Sequence, residues 1–247
     1  MRLDDRKEHI LDFVVRDFIR TAVPVSSGRI SKKETASRAI AGSLAGSPAT
    51  IRNIMLELNE DGYLYQPHTS AGRVPTEKGY RYFVDTLMEI RAPEPEIKDK
   101  LDAILENLER EIDSAFEDMS RALSGHLKLF SGIGFLDEEE KIFGKGLSEV
   151  LKEPEFEEHG LAAEFADFAE HAENILRDFG GNFESEELNQ RIDIKKFGSV
   201  SISFKDREFG RCVMFSLGPK RMNYERAAST LKYAAKDIKK RRTKKYG

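Results

Sequence analysis

Residues 47–62 constrain the fold more tightly than any other stretch, because both ends of one helix are written into them. Ser47 offers a hydroxyl to the free N–H groups of a first helical turn. Pro48 follows at the first helical position, where a missing N–H matters least. Gly62 closes the element, since glycine tolerates the left-handed backbone that ends a helix. Between these marks Ile51, Met55 and Leu58 share one face and read as core. Thr50, Arg52, Asn53 and Glu57 fall elsewhere and read as facing solvent or a partner.

The flanking segments supply the rest of a small domain. Ile10, Val14 and Phe18, with Leu11, Val15 and Ile19, predict a helix from about Asp5 to Thr21, stopped by Pro24. Ser26 or Ser27 can cap a second helix to about Ile40, and 42–46 reads as a loop. After Gly62, Tyr63-Leu64-Tyr65-Gln66 is a short strand candidate and Pro67 to Val74 a polar turn. Thr76 can cap a further helix with Tyr80, Phe83, Val84 and Leu87 on its apolar face. Three helices, a hairpin and a trailing helix predict a winged helix-turn-helix over residues 1–90, with Gly72-Arg73 near the tip of a wing at 63–74.

Beyond a linker at 91–96 the chain changes character. Leu101, Leu105, Leu108, Ile112, Ala115, Met119 and Ala122 alternate spacings of four and three along a long acidic helix. That is the repeat of a coiled-coil seam, and Leu101, Leu105, Leu108, Ile112 and Met119 are candidates for a dimer contact. The same face can instead pack on its own domain, since Ile104 and Phe116 widen the stripe. A strand is expected at 127–135, and an amphipathic helix at 161–179 with Phe165, Phe168, Ala172, Ile175, Leu176 and Phe179 inward. Val200, Ile202 and Phe204 alternate as in a half-buried strand, and Arg211 to Leu217 is the return strand. Tyr224, Ala228, Leu231, Ala235 and Ile238 mark a last helix, closing a regulatory or dimerisation region at 97–238. The basic run 239–247 reads by default as a solvated tail, with DNA phosphates or the acidic middle as its other partners. The fold class is α+β and helix-rich.

Charge separates these regions. Residues 1–90 carry a net charge of +1, residues 91–187 carry -17 and residues 188–247 carry +12. The acidic middle repels a polyanion, so any DNA contact is expected from the ends. No stretch reaches the ~20 apolar residues of a membrane span. The start, Met1 to Lys7, is charged and lacks a signal-peptide core, so a cytoplasmic protein with no membrane partner is expected. Cys212 is the single cysteine, which excludes an internal disulfide. The five histidines are scattered, Gly144-Lys145-Gly146 lacks phosphate-loop spacing, and no catalytic constellation assembles. An enzyme, a metal and a cofactor are therefore not expected.

DNA chemistry fits the first domain, the other reading of the same residues being a set of solvated polar side chains on a small helical domain. Thr50 can touch a thymine methyl, Asn53 can pair with adenine and arginine with guanine. The N–H groups at Ser47 to Thr50 suit a phosphate, and Arg73 suits a narrow minor groove.

At 47–85 the sequence stops being generic. Ser47-Pro48-Ala49-Thr50-Ile51-Arg52-Asn53, Pro67-His68-Thr69-Ser70-Ala71-Gly72-Arg73-Val74-Pro75-Thr76 and Lys78-Gly79-Tyr80-Arg81-Tyr82-Phe83-Val84-Asp85 closely resemble the signature of the heat-inducible transcription repressor HrcA family. Gly146 to Leu151 with Pro154 to Phe156, and Gly218 to Tyr224 with the helix to Ile238, resemble later segments of that family. A central piece of the usual chain is missing between 135 and 142, so the resemblance implies a shortened member with a reduced GAF-like α+β C-terminal domain. It further implies a repressor that binds an inverted repeat in double-stranded DNA ahead of chaperone genes, as a homodimer, with a chaperonin as partner and release on heat stress. Carried over by position, Ser47, Thr50, Arg52 and Asn53 would serve the major groove. Thr69, Ser70 and Arg73 would serve the wing, and Lys78 and Arg81 nearby phosphates. Two other readings stay open: a regulator whose C-terminal domain senses a small molecule, and an interaction protein that binds a chaperonin or polymerase.

Overall fold

The computed structural model describes residues 2–37, 47–106, 108, 111–137, 141–157, 159–171, 188–206 and 209–246, and the chain divides into two compact units, Met1–Met88 and Glu89–Gly247.

In the first unit, helix α1 spans Asp5–Thr21. Asp4 caps it by accepting from the N–H groups of Arg6 and Lys7 at 3.0 Å. Ala22 ends it in the left-handed region. Helix α2 spans Ser27–Ser37, and the expected extension to Ile40 and the loop 42–46 lie outside the described residues. Helix α3 spans Pro48–Glu60. Strands β1 (Leu64–Tyr65) and β2 (Val74–Pro75) form an antiparallel hairpin. Helix α4 (Glu77–Tyr82) follows, capped by the Thr76 hydroxyl, and runs into a π-helical turn at Phe83–Leu87. Gly79 lets α4 close on the hairpin, because a Cβ there would overlap the carbonyl oxygen of Tyr63.

Helices α1 and α2 are tied by a buried acid. Asp17 lies on the buried side of α1, its side chain only 2% exposed. Arg20 of α1 and Arg29 and Lys33 of α2 approach its carboxylate to 2.6, 2.7 and 2.7 Å. Burial alone would push this carboxyl up, but Lys33, Arg20 and Arg29 together hold it below the usual carboxylate range.

The second unit carries a five-stranded antiparallel sheet. Helices α5 (Pro95–Glu106) and α6 (Ile112–Leu127) come first, then β3 (Phe130–Phe135) and β4 (Lys141–Lys145). A short helix α7 (Leu147–Val150), a 3-10 turn (Pro154–Glu157) and α8 (His159–Glu170) lead to β5 (Asn189–Ile194), β6 (Phe197–Asp206) and β7 (Gly210–Pro219). Helix α9 (Tyr224–Tyr246) ends the chain. The strand order is β4-β3-β7-β6-β5. Phe116 of α6 packs on Phe135, Phe143 and Phe209, while Phe197 of β6 meets Phe156, Phe165 and Phe168.

Five expectations change here. The heptad helix is two helices, with Glu111 already outside α6 in a non-helical conformation. Leu101, Leu105, Leu108 and Met119 are buried within the second unit and Ile112 is half-buried, so the proposed seam belongs to the unit's own core rather than to a dimer face. Strand β3 starts three residues later than expected, because α6 continues to Leu127 and Lys128 closes it in the left-handed region. Strand β6 is buried on both faces rather than one, with Ser199, Ser201 and Ser203 as enclosed as Val200, Ile202 and Phe204. The basic run is not a separate tail: its backbone to Tyr246 continues α9. Ala172, Ile175, Leu176 and Phe179 lie outside the described residues. None of the described helices is long and apolar enough to cross a membrane.

The folded chain releases the Asp17 proton more readily than the unfolded one. The stability from the Asp17 cluster is therefore complete above about pH 4 and is lost as pH falls below it. Asp17→Ala is expected to destabilise the first unit by about 1–3 kcal/mol, less than a fully buried pair because the cations left behind reach solvent. Urea unfolding at pH 7 and pH 3 checks both statements, since the difference between variant and parent should shrink in acid.

Candidate nucleic-acid interface

Helix α3 is held in rotation by its apolar stripe. Ile51, Ile54, Met55 and Leu58 are buried, which leaves Ala49, Arg52, Asn53 and Leu56 exposed on the opposite side. Ser47 accepts from the Thr50 N–H at 3.2 Å, and the two hydroxyls lie 3.0 Å apart. Thr50 is thus half-buried and engaged at the cap, whereas Arg52 and Asn53 have no side-chain partner among the described residues. At the other end the chain leaves α3 through Gly62 at a φ of 78°, with the Tyr63 N–H bonded to the Leu58 carbonyl at 2.8 Å. Lys7 of α1 bridges Glu57 at 3.0 Å and Asp61 at 3.1 Å, and these carboxylates raise its pKa.

The hairpin tip is the turn His68 to Ala71, closed by the Ala71 N–H on the His68 carbonyl at 2.8 Å. Gln66 braces it, donating to the carbonyls of Thr69 and Ala71 at 2.9 and 2.8 Å. Thr69 and Ser70 are exposed there. Gly72 and Arg73 are not at the tip. Arg73 pairs with Val25 through both main-chain hydrogen bonds, at 2.8 and 2.9 Å, which adds a third extended segment beside the hairpin. Its side chain is half-buried, with Nε enclosed and without a hydrogen-bond partner among the described residues. A Cβ at position 72 would overlap the Val25 carbonyl, so only glycine admits this approach.

The structure therefore gathers Ser47, Thr50, Arg52 and Asn53 at one end of α3 and sets Thr69 and Ser70 on the hairpin tip. It places Lys78 and Arg81 elsewhere. Lys78 donates to the Asp61 carbonyl at 2.7 Å and sits 4.2 Å from the Tyr63 ring centre, at the C-terminal end of α3. A 13-residue helix is ~20 Å long, so Lys78 is that far along the axis from Ser47. Arg81 is half-buried on α4. Ala49 and Leu56 complete the exposed row, and their helical spacing to Arg52 and Asn53 is the sequence signal that marks them.

Gly72→Ala is expected to break the Val25–Arg73 pairing while leaving α3 folded. Amide hydrogen exchange should then speed up at Val25 and Arg73 and stay unchanged at Leu58.

Comparison with known proteins addresses both units. The model of the HrcA protein C terminal domain matches residues 86–228. The heat-inducible transcription repressor HrcA of Symbiobacterium thermophilum is 43% identical over 122 residues, 49% of this chain and 33% of that one. That of Desulfitobacterium hafniense is 35% identical over 202 residues, 78% of this chain and 52% of that one. The chain thus spans a third to about half the length of these relatives. A hypothetical protein known from a 2.2 Å crystal structure shares the fold, with a TM-score of 0.71, 18% identity and coverage of 98% of this chain and 99% of that one. With the family's C-terminal domain matched over more than half of its residues, the chain belongs to the HrcA family.

Proposed function

We propose that this chain is a DNA-binding transcriptional repressor of heat-shock genes, with its first unit a winged helix-turn-helix and α3 its recognition helix. The observation that carries the reading is the pair Arg52 and Asn53 on α3, exposed, facing away from the buried stripe and without a side-chain partner among the described residues. Arginine and asparagine are the side chains that pair in bidentate fashion with guanine and adenine in the major groove. The capped N-terminus at Ser47 suits a backbone phosphate. Thr69 and Ser70 on the hairpin tip serve the wing. The names of the relatives, heat-inducible transcription repressors, support the regulatory role and the class of gene. An intracellular setting follows from that role.

In this reading the second unit is a reduced GAF-like domain that regulates or pairs the chain. An inverted-repeat operator requires a two-fold protein with recognition helices ~34 Å apart, or a multiple of it. A homodimer is part of the proposal, and its contact lies outside the buried residues 101, 105, 108 and 119. A chaperonin that holds the repressor in its active state, and release on heating, complete it.

Fluorescence anisotropy with chaperone-operon promoter DNA, at several salt concentrations and against scrambled competitor, tests the reading. Binding that survives competitor is expected, and Asn53→Ala should remove ~1–3 kcal/mol of base discrimination. Binding that follows salt and ignores sequence would exclude a sequence-specific repressor.

A further inference from the structure

Leu56 is a large apolar side chain left 48% exposed in a helix whose other large apolar residues are buried. Its place is regular. Ala49, Arg52, Asn53 and Leu56 follow the i, i+3, i+4, i+7 pattern, so they form one row along α3. All four are exposed, and the row lies opposite Ile51, Ile54, Met55 and Leu58. From Ala49 to Leu56 the helix rises ~10 Å, which matches three base-pair steps of 3.4 Å. The row therefore reads apolar, cation, amide, apolar over the length of a short half-site.

We infer that Leu56, with Ala49 at the other end of the row, reads thymine methyl groups on either side of the base pairs contacted by Arg52 and Asn53. The inference rests on α3 being the recognition helix. In the major groove only thymine presents a methyl group, and apolar contact is how proteins recognise it. Polar edges of the other bases would lose water against Leu56 and gain no hydrogen bond in return. Thr50 is half-buried with its hydroxyl at the Ser47 cap, so the exposed apolar side chains of the row are Ala49 and Leu56. Glu60 is exposed one turn beyond Leu56, where a carboxylate is repelled by phosphate, so the row ends at Leu56. The specificity assigned to the helix is a guanine- and adenine-containing core bounded by thymines, with the apolar ends as selective as the polar centre.

The test uses the full chain and duplexes obtained by in vitro selection from a random library. Each thymine of the selected sequence is then replaced by uracil, which removes one methyl group and nothing else. Affinities are measured for the parent and for Leu56→Ala. Uracil at the thymine facing Leu56 should weaken the parent about fourfold, the worth of one buried methyl, and should leave Leu56→Ala unaffected. Uracil at the thymine facing Ala49 should stay unfavourable in Leu56→Ala, whereas sensitivity that persists unchanged in Leu56→Ala at every thymine, or a parent indifferent to every uracil, overturns the inference while the recognition helix stands. Failure of the parent to select any sequence overturns the recognition helix itself, and this inference with it. Because the uracil comparison alters the DNA and not the protein, it reads the contact independently of any change in folding.

Discussion

The first unit depends on the rotation of α3. Burial of Ile51, Ile54, Met55 and Leu58 fixes which side of the helix meets the core, and everything the other side offers follows from that. Lys7 adds a second restraint from α1, joining Glu57 and Asp61 near the helix end. Helix α2 is held in turn by Asp17, whose carboxylate draws cations from two helices into one place. A buried acid is a weak source of net stability, but it permits few alternative packings, since any shift of α2 strands the charge.

The second unit uses a different device. Its sheet is enclosed on both faces along β6 and β7, and the small serine side chains make that possible. Ser131 and Ser216 bond to each other at 2.8 Å in the interior, and the single Ser120 O–H has the Phe116 and Phe143 carbonyls as acceptors at 2.8 and 2.7 Å. Polar atoms inside are tolerated because they find partners there. Arg221 is largely buried between Glu153 and Glu155, which ties the start of α9 to the 3-10 turn.

Much of the first unit was legible in the sequence. The Ser47-Pro48 start, the Gly62 stop and the Thr76 cap are local signals, and each is a hydrogen bond or backbone angle decided by a few neighbouring residues. What escaped was non-local. Arg73 reads as a loop-tip arginine until Val25, nearly fifty residues earlier, pairs with it. Asp17 carries no local mark of its role, because Arg29 and Lys33 reach it from the next helix. The break between α5 and α6 carries no glycine or proline to mark it, and the four-three spacing runs across it because both helices bury their apolar sides within the same unit. Serines on β6 suggested an exposed face, since alternation reports polarity and not enclosure. At the candidate interface, Arg52 and Asn53 were legible by residue type, whereas Leu56 was passed over because an apolar residue in an amphipathic helix is normally core.

The strand order has a kinetic consequence. β3 is a central strand, and its partner on one side, β7, lies about 80 residues further along the chain. The sheet cannot close until nearly the whole second unit has emerged and found itself, and such long-range pairing makes folding slow. Until then β3 carries an open edge with Phe130, Ile133 and Phe135 along it, the kind of surface that joins other chains when they are crowded or warm. The time a nascent chain spends in that state lengthens with the separation of β3 and β7 in the sequence.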